Sequence, residues 1–165
     1  MAKKKAARCG LLKPADLHAA TKAYADANAR HGGEGRVLHF LGRALRPTDA
    51  AKVMKAAVPD GYNEFDAKAV GDELKKHDVC VRFGREASPV LYVSGDPQTL
   101  NRLSGIAKRR LKADTAKRCV SVRVTPADPR YASSEMPISV ACTRTGTGGS
   151  APKGGKARWL KLFWD

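Results

Sequence analysis

The stretch from Asp96 to Val124 places the strongest constraint on how this chain folds. Asp96 and Pro97 form a helix-starting pair, because an Asp side chain accepts hydrogen bonds from the first free N–H groups and Pro suits the first helical position. Apolar residues follow at the spacing of one helix face: Leu100, Leu103, Ala107 and Leu111. The pattern predicts a helix from residue 96 to about residue 114, with one side buried.

A strand is predicted directly after this helix, over residues 119–124. Val120, Val122 and Val124 fall on one face of the alternation, and the other face holds Cys119, Ser121 and Arg123. The helix and this strand should therefore form the packed centre of the C-terminal half.

The junction between that helix and strand is strongly basic. It carries seven cations: Lys108, Arg109, Arg110, Lys112, Lys117, Arg118 and Arg123. Cations in the last turn complement the helix dipole, which is worth roughly 0.3–1 kcal/mol each. That effect accounts for one or two of them and not for those beyond the helix. Phosphate binding depends on charge density rather than on a fixed motif, so the junction is the main candidate phosphate-binding surface.

The charge of the whole chain points to a polyanionic partner. Its 165 residues include 31 Lys plus Arg and 16 Asp plus Glu, a net charge of +15, and solubility alone needs less. Residues 61–95 hold five basic and six acidic residues, whereas residues 96–165 hold fourteen and five. Seven further cations in a basic arm and near a Gly-rich loop are candidate nucleic-acid contacts: Lys3, Lys4, Lys5, Arg8, Lys153, Lys156 and Arg158.

Four helices are predicted in the N-terminal half. They cover residues 14–31, 34–45, 48–58 and 63–77, and a β-hairpin over residues 79–93 follows. The order of helices and hairpin resembles a winged helix-turn-helix module, in which the third helix reads DNA. In this chain, however, residues 63–77 hold four acidic and three basic residues. Phosphate should repel that helix, so we expect a packing or protein-binding unit there.

The predicted fold class is α+β. We expect four N-terminal helices in winged-helix-like order, then a mixed β-sheet of about five strands packed on one helix, with further strands at residues 138–143 and 157–164. A basic arm, residues 1–13, should precede a single domain, residues 14–165, with a helical half (14–78) and a sheet half (79–165).

The Gly-rich loop at residues 145–156 is not a phosphate-binding P-loop. Ser150 stands where that motif needs Gly, and Ala157 where it needs Ser or Thr. The loop is then a hairpin tip or a basic arm that orders on a polyanion. The strand after it, with Trp159 and Trp164, is predicted to be central and covered on both sides; the alternative is a surface that docks protein neighbours or stacks bases.

The four cysteines stand apart in sequence, at Cys9, Cys80, Cys119 and Cys142, with no Cys-x-x-Cys pair. This predicts reduced, buried thiols and no metal site. Residues 1–8 lack the apolar segment of a secretion signal, and no stretch reaches the ~20 apolar residues of a membrane span. We therefore expect a reducing intracellular compartment, the cytoplasm or nucleus, or a virion, with no secretion and no membrane partner.

The expected function is non-enzymatic binding of nucleic acid, DNA or RNA, or of nucleoprotein, through phosphate contacts. The histidines His18, His31, His39 and His77 form no recognisable catalytic arrangement, so neither catalysis nor a cofactor is expected. One alternative is a structural subunit of a large assembly, a virus particle or ribosome-like complex, whose basic tails bind acidic surfaces of neighbours. The second is a winged-helix transcriptional regulator.

Overall fold

The computed structural model describes residues 9, 44–58, 61–83, 89–119, 121–126, 138–143 and 158–164. Within these residues the chain forms three helices, α1 (Pro47–Ala57), α2 (Ala67–Leu74) and α3 (Pro97–Arg109). It also forms six strands: β1 (Cys80–Phe83), β2 (Val90–Ser94), β3 (Thr115–Cys119), β4 (Ser121–Pro126), β5 (Ile138–Thr143) and β6 (Trp159–Phe163).

Helices α1 and α2 cross closely. Asp66 precedes α2, and its carboxylate accepts hydrogen bonds from the backbone N–H of Lys68 at 2.8 Å and of Ala69 at 3.0 Å. At the crossing, a Cβ added to Gly71 would lie 2.8 Å from the Cβ of Ala51. Glycine is therefore what allows the two helices to approach this closely.

Four strands form an antiparallel sheet in the order β1-β2-β6-β3. Strand β6 is central, because Leu160 lies opposite Val93 of β2 on one side and opposite Arg118 of β3 on the other. At the β1 edge, Leu45 and Val81 exchange backbone hydrogen bonds of 2.7 and 2.8 Å. Strands β4 and β5 pair with each other in a second, two-stranded antiparallel sheet.

The core lies between one face of the four-stranded sheet and the three helices. The fully buried sheet residues on this face are Val81, Phe83, Leu91, Val93, Leu160 and Leu162. The helices contribute Val53, Met54, Val70, Leu74, Leu100 and Leu103 to the same cluster. Burying each such side chain contributes about 1.5–3 kcal/mol, so this layer is the main source of stability among the described residues.

The predicted fold is wrong in its counts and in its sheet, although the structure supports the α+β class. Two helices, rather than four, precede the hairpin in residues 44–83; the predicted helix 14–31 lies outside the described residues, and the predicted end of helix 34–45, Leu45, is extended chain paired with Val81. The larger sheet has four antiparallel strands and packs on three helices. Since β2 continues into the sheet through β6 instead of ending as a wing, the winged-helix-like arrangement is also wrong.

Two predicted helices have different bounds in the structure. The helix predicted over residues 63–77 begins at Ala67, because Asn63 is left-handed (φ 47°) and Tyr62 and Phe65 bond each other's backbones in a tight turn. Phe65 is buried by that turn, which is the packing reason for it. The helix predicted to reach residue 114 ends at Arg109, and Lys112 is left-handed (φ 54°).

The strand predicted over residues 119–124 is divided between two sheets. Cys119 ends β3 and Ser121 begins β4. Strand β3 itself, with the sequence Thr-Ala-Lys-Arg-Cys, was not predicted, since it shows no alternation of apolar and polar residues. Its position depends on pairing with β6, whose residues lie 40 to 48 positions later in the chain.

The prediction of reduced thiols is wrong for three cysteines. Cys9 and Cys80 form a disulfide with a Cα–Cα distance of 5.4 Å, and Cys119 is disulfide-bonded as well. Isolated cysteines give no pairing signal in sequence, because a separation of 71 residues is bridged only by the fold. Residue 9 is thereby attached to the edge strand β1.

Candidate functional site

The start of α3 sets the position of the basic junction. The Asp96 carboxylate accepts hydrogen bonds from the backbone N–H of Gln98 at 3.1 Å and of Thr99 at 3.0 Å, as the Asp-Pro pair predicted. Leu100, Leu103 and Ala107 are fully buried against the sheet. The helix is therefore fixed along its length, and its last turn presents Lys108 and Arg109 to solvent.

The turn that follows α3 also carries exposed cations. Ala113 donates its backbone N–H to the Ala107 carbonyl at 3.0 Å, closing the end of the helix. From Arg110 onward the side chains alternate: Arg110 and Lys112 are exposed, whereas Leu111 and Ala113 are buried. We call Lys108, Arg109, Arg110 and Lys112 together the basic end of α3.

The basic end of α3 lies beside the acidic segment, residues 63–77, which holds four acidic and three basic residues. Lys112 Nζ is 2.6 Å from a carboxylate oxygen of Glu64, and an Arg110 guanidinium nitrogen is 3.8 Å from Glu73. Lys108 donates to the backbone carbonyl of Asp114 at 2.7 Å. Because Lys112 and Arg110 stay about two-thirds exposed, their pairings are solvated and weak.

Glu73 is the buried member of this acidic segment. His77 Nε2 and Lys76 Nζ each donate to its carboxylate at 2.9 Å. Burial alone raises the pKa of Glu73, but the hydrogen bonds from His77 and Lys76 outweigh it and hold that pKa below its usual value. Glu73 therefore remains charged near Arg110.

The exposed acid of α2, Asp72, is neutralised by Lys68 of the same helix and by Lys75, which follows the helix. Asp72 lies 2.8 Å from Lys68 Nζ and 2.9 Å from Lys75 Nζ, and hydrogen bonds from both lysines lower the pKa of Asp72 to about 2. The expected repulsion between this helix and phosphate rests on the number of charges along residues 63–77. In the structure, Asp72 and Glu73 are each paired with nearby basic side chains.

Lys117 and Arg118 lie on strand β3, on opposite faces. Arg118 donates to the Asn101 side chain and to the Pro97 carbonyl at 3.3 Å, which ties β3 to the first turns of α3. Burial lowers the pKa of Arg118 from its usual value, as desolvation of a cation does. Lys117 lies on the other sheet face, directly opposite Lys161 of β6.

Among the remaining predicted contacts, the structure describes the side chain of Arg158 alone. Arg158 is exposed and immediately precedes β6. Arg123 belongs to β4, and its side chain is not among those described. Six cations lie outside the described residues: Lys3, Lys4, Lys5, Arg8, Lys153 and Lys156.

The aromatic strand at the C-terminus is paired on both edges. Because β2 and β3 flank β6, the strand has no free edge to which a partner strand could add. Its outer face holds Trp159 and Phe163, both half-buried, with Arg82 5.2 Å from the Trp159 ring and Lys161 5.7 Å from the Phe163 ring. Addition of a partner strand to β6 is therefore excluded, whereas docking of protein neighbours through its outer face stays a prediction.

A groove opens next to the basic end of α3. It encloses about 660 Å³ between the turn at residues 61–65, the start of α2 and residues 110–112. Two cations that sequence reasoning missed, Lys55 and Lys68, also line it. Nothing in the sequence singles out either lysine. Lys68, for example, forms an i,i+4 pair with Asp72 of the kind that is common on helix surfaces.

Membrane-spanning and metal-binding features are not found in the part of the chain that the structure describes. None of its helices is both long and apolar enough to cross a bilayer. In the same residues, no three His, Cys, Asp or Glu side chains are grouped so that they could hold a metal ion. Compared with known proteins, the whole chain matches no family model, no curated protein and no solved structure.

Proposed function

We propose that this chain is a non-enzymatic protein that binds nucleic acid, or a nucleoprotein, through contacts to phosphate. The observation that carries the proposal is the basic end of α3, where four exposed cations occupy five consecutive positions on a rigidly anchored helix end. Phosphate backbones bind through such local density of Lys and Arg, whatever their base sequence.

The ion pairs that these cations form leave them accessible to a phosphate. The carboxylate facing Lys112 belongs to Glu64, whose side chain is 59% exposed, and exposed ion pairs contribute roughly 0–1 kcal/mol. A phosphate oxygen can replace such a partner at little cost. Arg118, by contrast, is assigned to holding β3 on α3 rather than to contacting phosphate.

The proposed partner is DNA, RNA or the acidic surface of a nucleoprotein, and the proposed compartment is the cytoplasm, the nucleus or a virion. Lys117, Arg123, Arg158 and the cations outside the described residues remain proposed contacts. The alternative role, a structural subunit of a virus particle or ribosome-like complex, predicts that the purified chain binds free nucleic acid weakly and is recovered from cells within a large particle.

Fluorescence anisotropy with a labelled oligonucleotide tests the proposal. One sequence is presented as single-stranded DNA, duplex DNA and RNA, and the wild-type chain is compared with a variant in which Lys108, Arg109, Arg110 and Lys112 are replaced by Ser. We expect roughly a tenfold or greater loss of affinity.

A control variant loses the same number of exposed cations elsewhere on the described surface: Arg46→Gln, Lys52→Ser, Lys75→Ser and Arg102→Ser. Its net charge equals that of the first variant, so global electrostatic attraction is matched. Equal losses in the two variants, or no measurable binding by the wild-type chain, would overturn the proposal.

A further inference from the structure

The groove beside the basic end of α3 has the charge of an anion site. Four exposed cations from three parts of the chain converge on it: Lys55 from α1, Lys68 from α2, and Arg110 and Lys112 after α3. Two carboxylates, Glu64 and Asp66, also line it. The lining residues by themselves carry two net positive charges, a sign that suits a phosphomonoester of about −1.5 to −2 at neutral pH. Two of these cations also have partners outside the lining: Lys68 lies 2.8 Å from Asp72, and Arg110 lies 3.8 Å from Glu73.

The backbone around the groove is held in an unusual conformation. Three of the described residues have positive φ angles, and all three line this groove: Gly61 at 77°, Asn63 at 47° and Lys112 at 54°. Such a conformation is unfavourable for an L-residue such as Lys112, and strained residues of this kind cluster at ligand sites. At Lys112 the left-handed turn places the cation at the groove instead of continuing the helix.

One side chain already occupies part of this positive site. The Glu64 carboxylate lies 2.6 Å from Lys112 Nζ across 48 positions of sequence, and both side chains are mostly exposed. Asp66 is engaged differently, because its carboxylate caps the start of α2. Glu64 is thus the removable anion of the groove, and Asp66 is the structural one.

We infer that the groove is a phosphate-binding site in which Glu64 is a built-in competitor that an incoming phosphate displaces from Lys112. A phosphate group brings more charge and more acceptor oxygens than a single carboxylate, so it can engage Lys112 and Arg110 together. The inference deepens the proposed function, because Arg110 and Lys112 belong to both surfaces; the cations Lys55 and Lys68 belong to the groove alone.

Titration of the full chain with inorganic phosphate, followed by ¹H–¹⁵N NMR, tests the site directly. We expect saturable shifts of the backbone amides of residues 61–70 and 110–112, and none of comparable size at the opposite end of α3. In Glu64→Gln, the affinity for phosphate should rise about three- to tenfold, because the competing charge is gone. The matched control is Asp78→Asn, which removes an exposed carboxylate that does not line the groove.

A second variant, Lys55→Ser with Lys68→Ser, should lower phosphate affinity while leaving the basic end of α3 intact. Equal effects of Glu64→Gln and Asp78→Asn, or amide shifts spread over the surface without saturation, would overturn the inference. Two oligonucleotides of one sequence, with a 5′-phosphate and a 5′-hydroxyl, then identify the source of the phosphate. Tighter binding of the first assigns the site to strand ends, and equal binding that weakens in the variant with Lys55→Ser and Lys68→Ser assigns it to internal phosphates.

The two proposals fail in distinguishable ways. If the wild-type chain takes up phosphate in the groove but binds no oligonucleotide, the proposed function fails and the groove site stands. If oligonucleotide binding depends on Lys108 and Arg109 but phosphate shifts none of the groove amides, the groove site fails and the proposed function stands.

Discussion

The indole N–H of Trp164 donates to the backbone carbonyl of Leu111 at 2.8 Å, across 53 residues of sequence. Trp164 is fully buried, packs edge-on against Phe65 with ring centroids 4.9 Å apart, and donates its backbone N–H to Pro89 at 3.1 Å. The carbonyl it holds lies between the two exposed cations Arg110 and Lys112. Trp164 therefore fixes the turn after α3 and, through Leu111, one wall of the groove.

Replacing Trp164 by Phe should destabilise the protein by about 1–3 kcal/mol, because the Leu111 carbonyl loses its partner inside the core. Urea denaturation followed by circular dichroism measures the change in the free energy of unfolding. The matched control is Trp159→Phe at a half-buried ring, for which we expect a loss below about 1 kcal/mol. Equal losses at the two positions contradict a special role for the Trp164 hydrogen bond.

Two glycine-to-alanine substitutions should change stability in opposite directions. In Gly71→Ala the new methyl meets the Ala51 side chain at 2.8 Å between two packed helices, so we expect a loss of about 1–3 kcal/mol. In Gly105→Ala the nearest atoms belong to the flexible end of Arg109, at 3.0 Å. That variant should gain about 0.5–1 kcal/mol from helix propensity.

Thermal and urea unfolding of both glycine variants provide the measurement. Adding Ala51→Gly to Gly71→Ala should restore most of the lost stability, because it removes the methyl that clashes. If the double variant is as unstable as Gly71→Ala alone, close helix crossing is not the reason for glycine at this position.

The local parts of the fold were predictable from sequence, since they depend on neighbouring residues. The start of α3 is the clearest case: Asp96, Pro97 and the stripe Leu100, Leu103 and Ala107 define it, and the structure confirms that start. The helix predicted from residue 63 begins at Ala67 instead, with Asp66 as its cap. Burial of Phe65, a tertiary effect, selects Asp66.

The long-range parts of the candidate site were not predictable from sequence. The cations of the basic end of α3 could be identified from local charge, but their partner Glu64 lies 48 positions away and is brought close only by folding. Strand β3 carries no apolar alternation and exists because β6 pairs with it. For the same reason Arg118 looked like a surface cation in sequence, whereas it joins a strand to a helix.

Removing the Cys9–Cys80 disulfide should lower the free energy of unfolding by about 4 kcal/mol, because the bond closes a loop spanning 71 positions. The substitution Cys9→Ser tests this and leaves the disulfide of Cys119 in place. Urea denaturation without reductant gives the difference, and mass spectrometry after thiol alkylation confirms the number of bonds. A change below about 1 kcal/mol, or two alkylated thiols in the native wild-type chain, contradicts the bond.

Acid should destabilise the protein through the carboxylates of α2. The pKa of Asp72 falls from 3.8 to about 2 on folding, and that of Glu73 also falls below its usual 4.5. A lowered pKa in the folded state contributes stability that is fully present above the usual value and is lost as the pH drops through the folded value. Stability should therefore be steady from neutral pH down to about 4.5 and then fall toward pH 2.

The variant Glu73→Gln separates the buried carboxylate from the exposed one. At pH 7 it should be about 1–3 kcal/mol less stable than the wild-type chain, because His77 and Lys76 lose a charged acceptor. As the pH falls below the usual 4.5 the difference should shrink, because the stability contributed by a carboxylate with a lowered folded-state pKa is then progressively lost. Urea denaturation at pH 7, 4 and 3 measures it, and a difference that stays constant across this range excludes the linkage.

The salt dependence of nucleic-acid binding should distinguish Arg109 from Arg118. Both were predicted from sequence to belong to the same basic junction. Arg109 is exposed at the end of α3, where its guanidinium lies 3.0 Å from the position a Cβ on Gly105 would take, whereas Arg118 is tied to Asn101 and Pro97. Arg109→Gln should reduce the slope of log affinity against log salt by about 0.7 for single strands, because one fewer counterion is released. Arg118→Gln should leave the slope unchanged and instead lower the free energy of unfolding, by roughly 1 kcal/mol. Anisotropy titrations at several salt concentrations, combined with urea denaturation, measure both quantities, and a reduced slope in Arg118→Gln with unchanged stability would return Arg118 to the phosphate-binding surface.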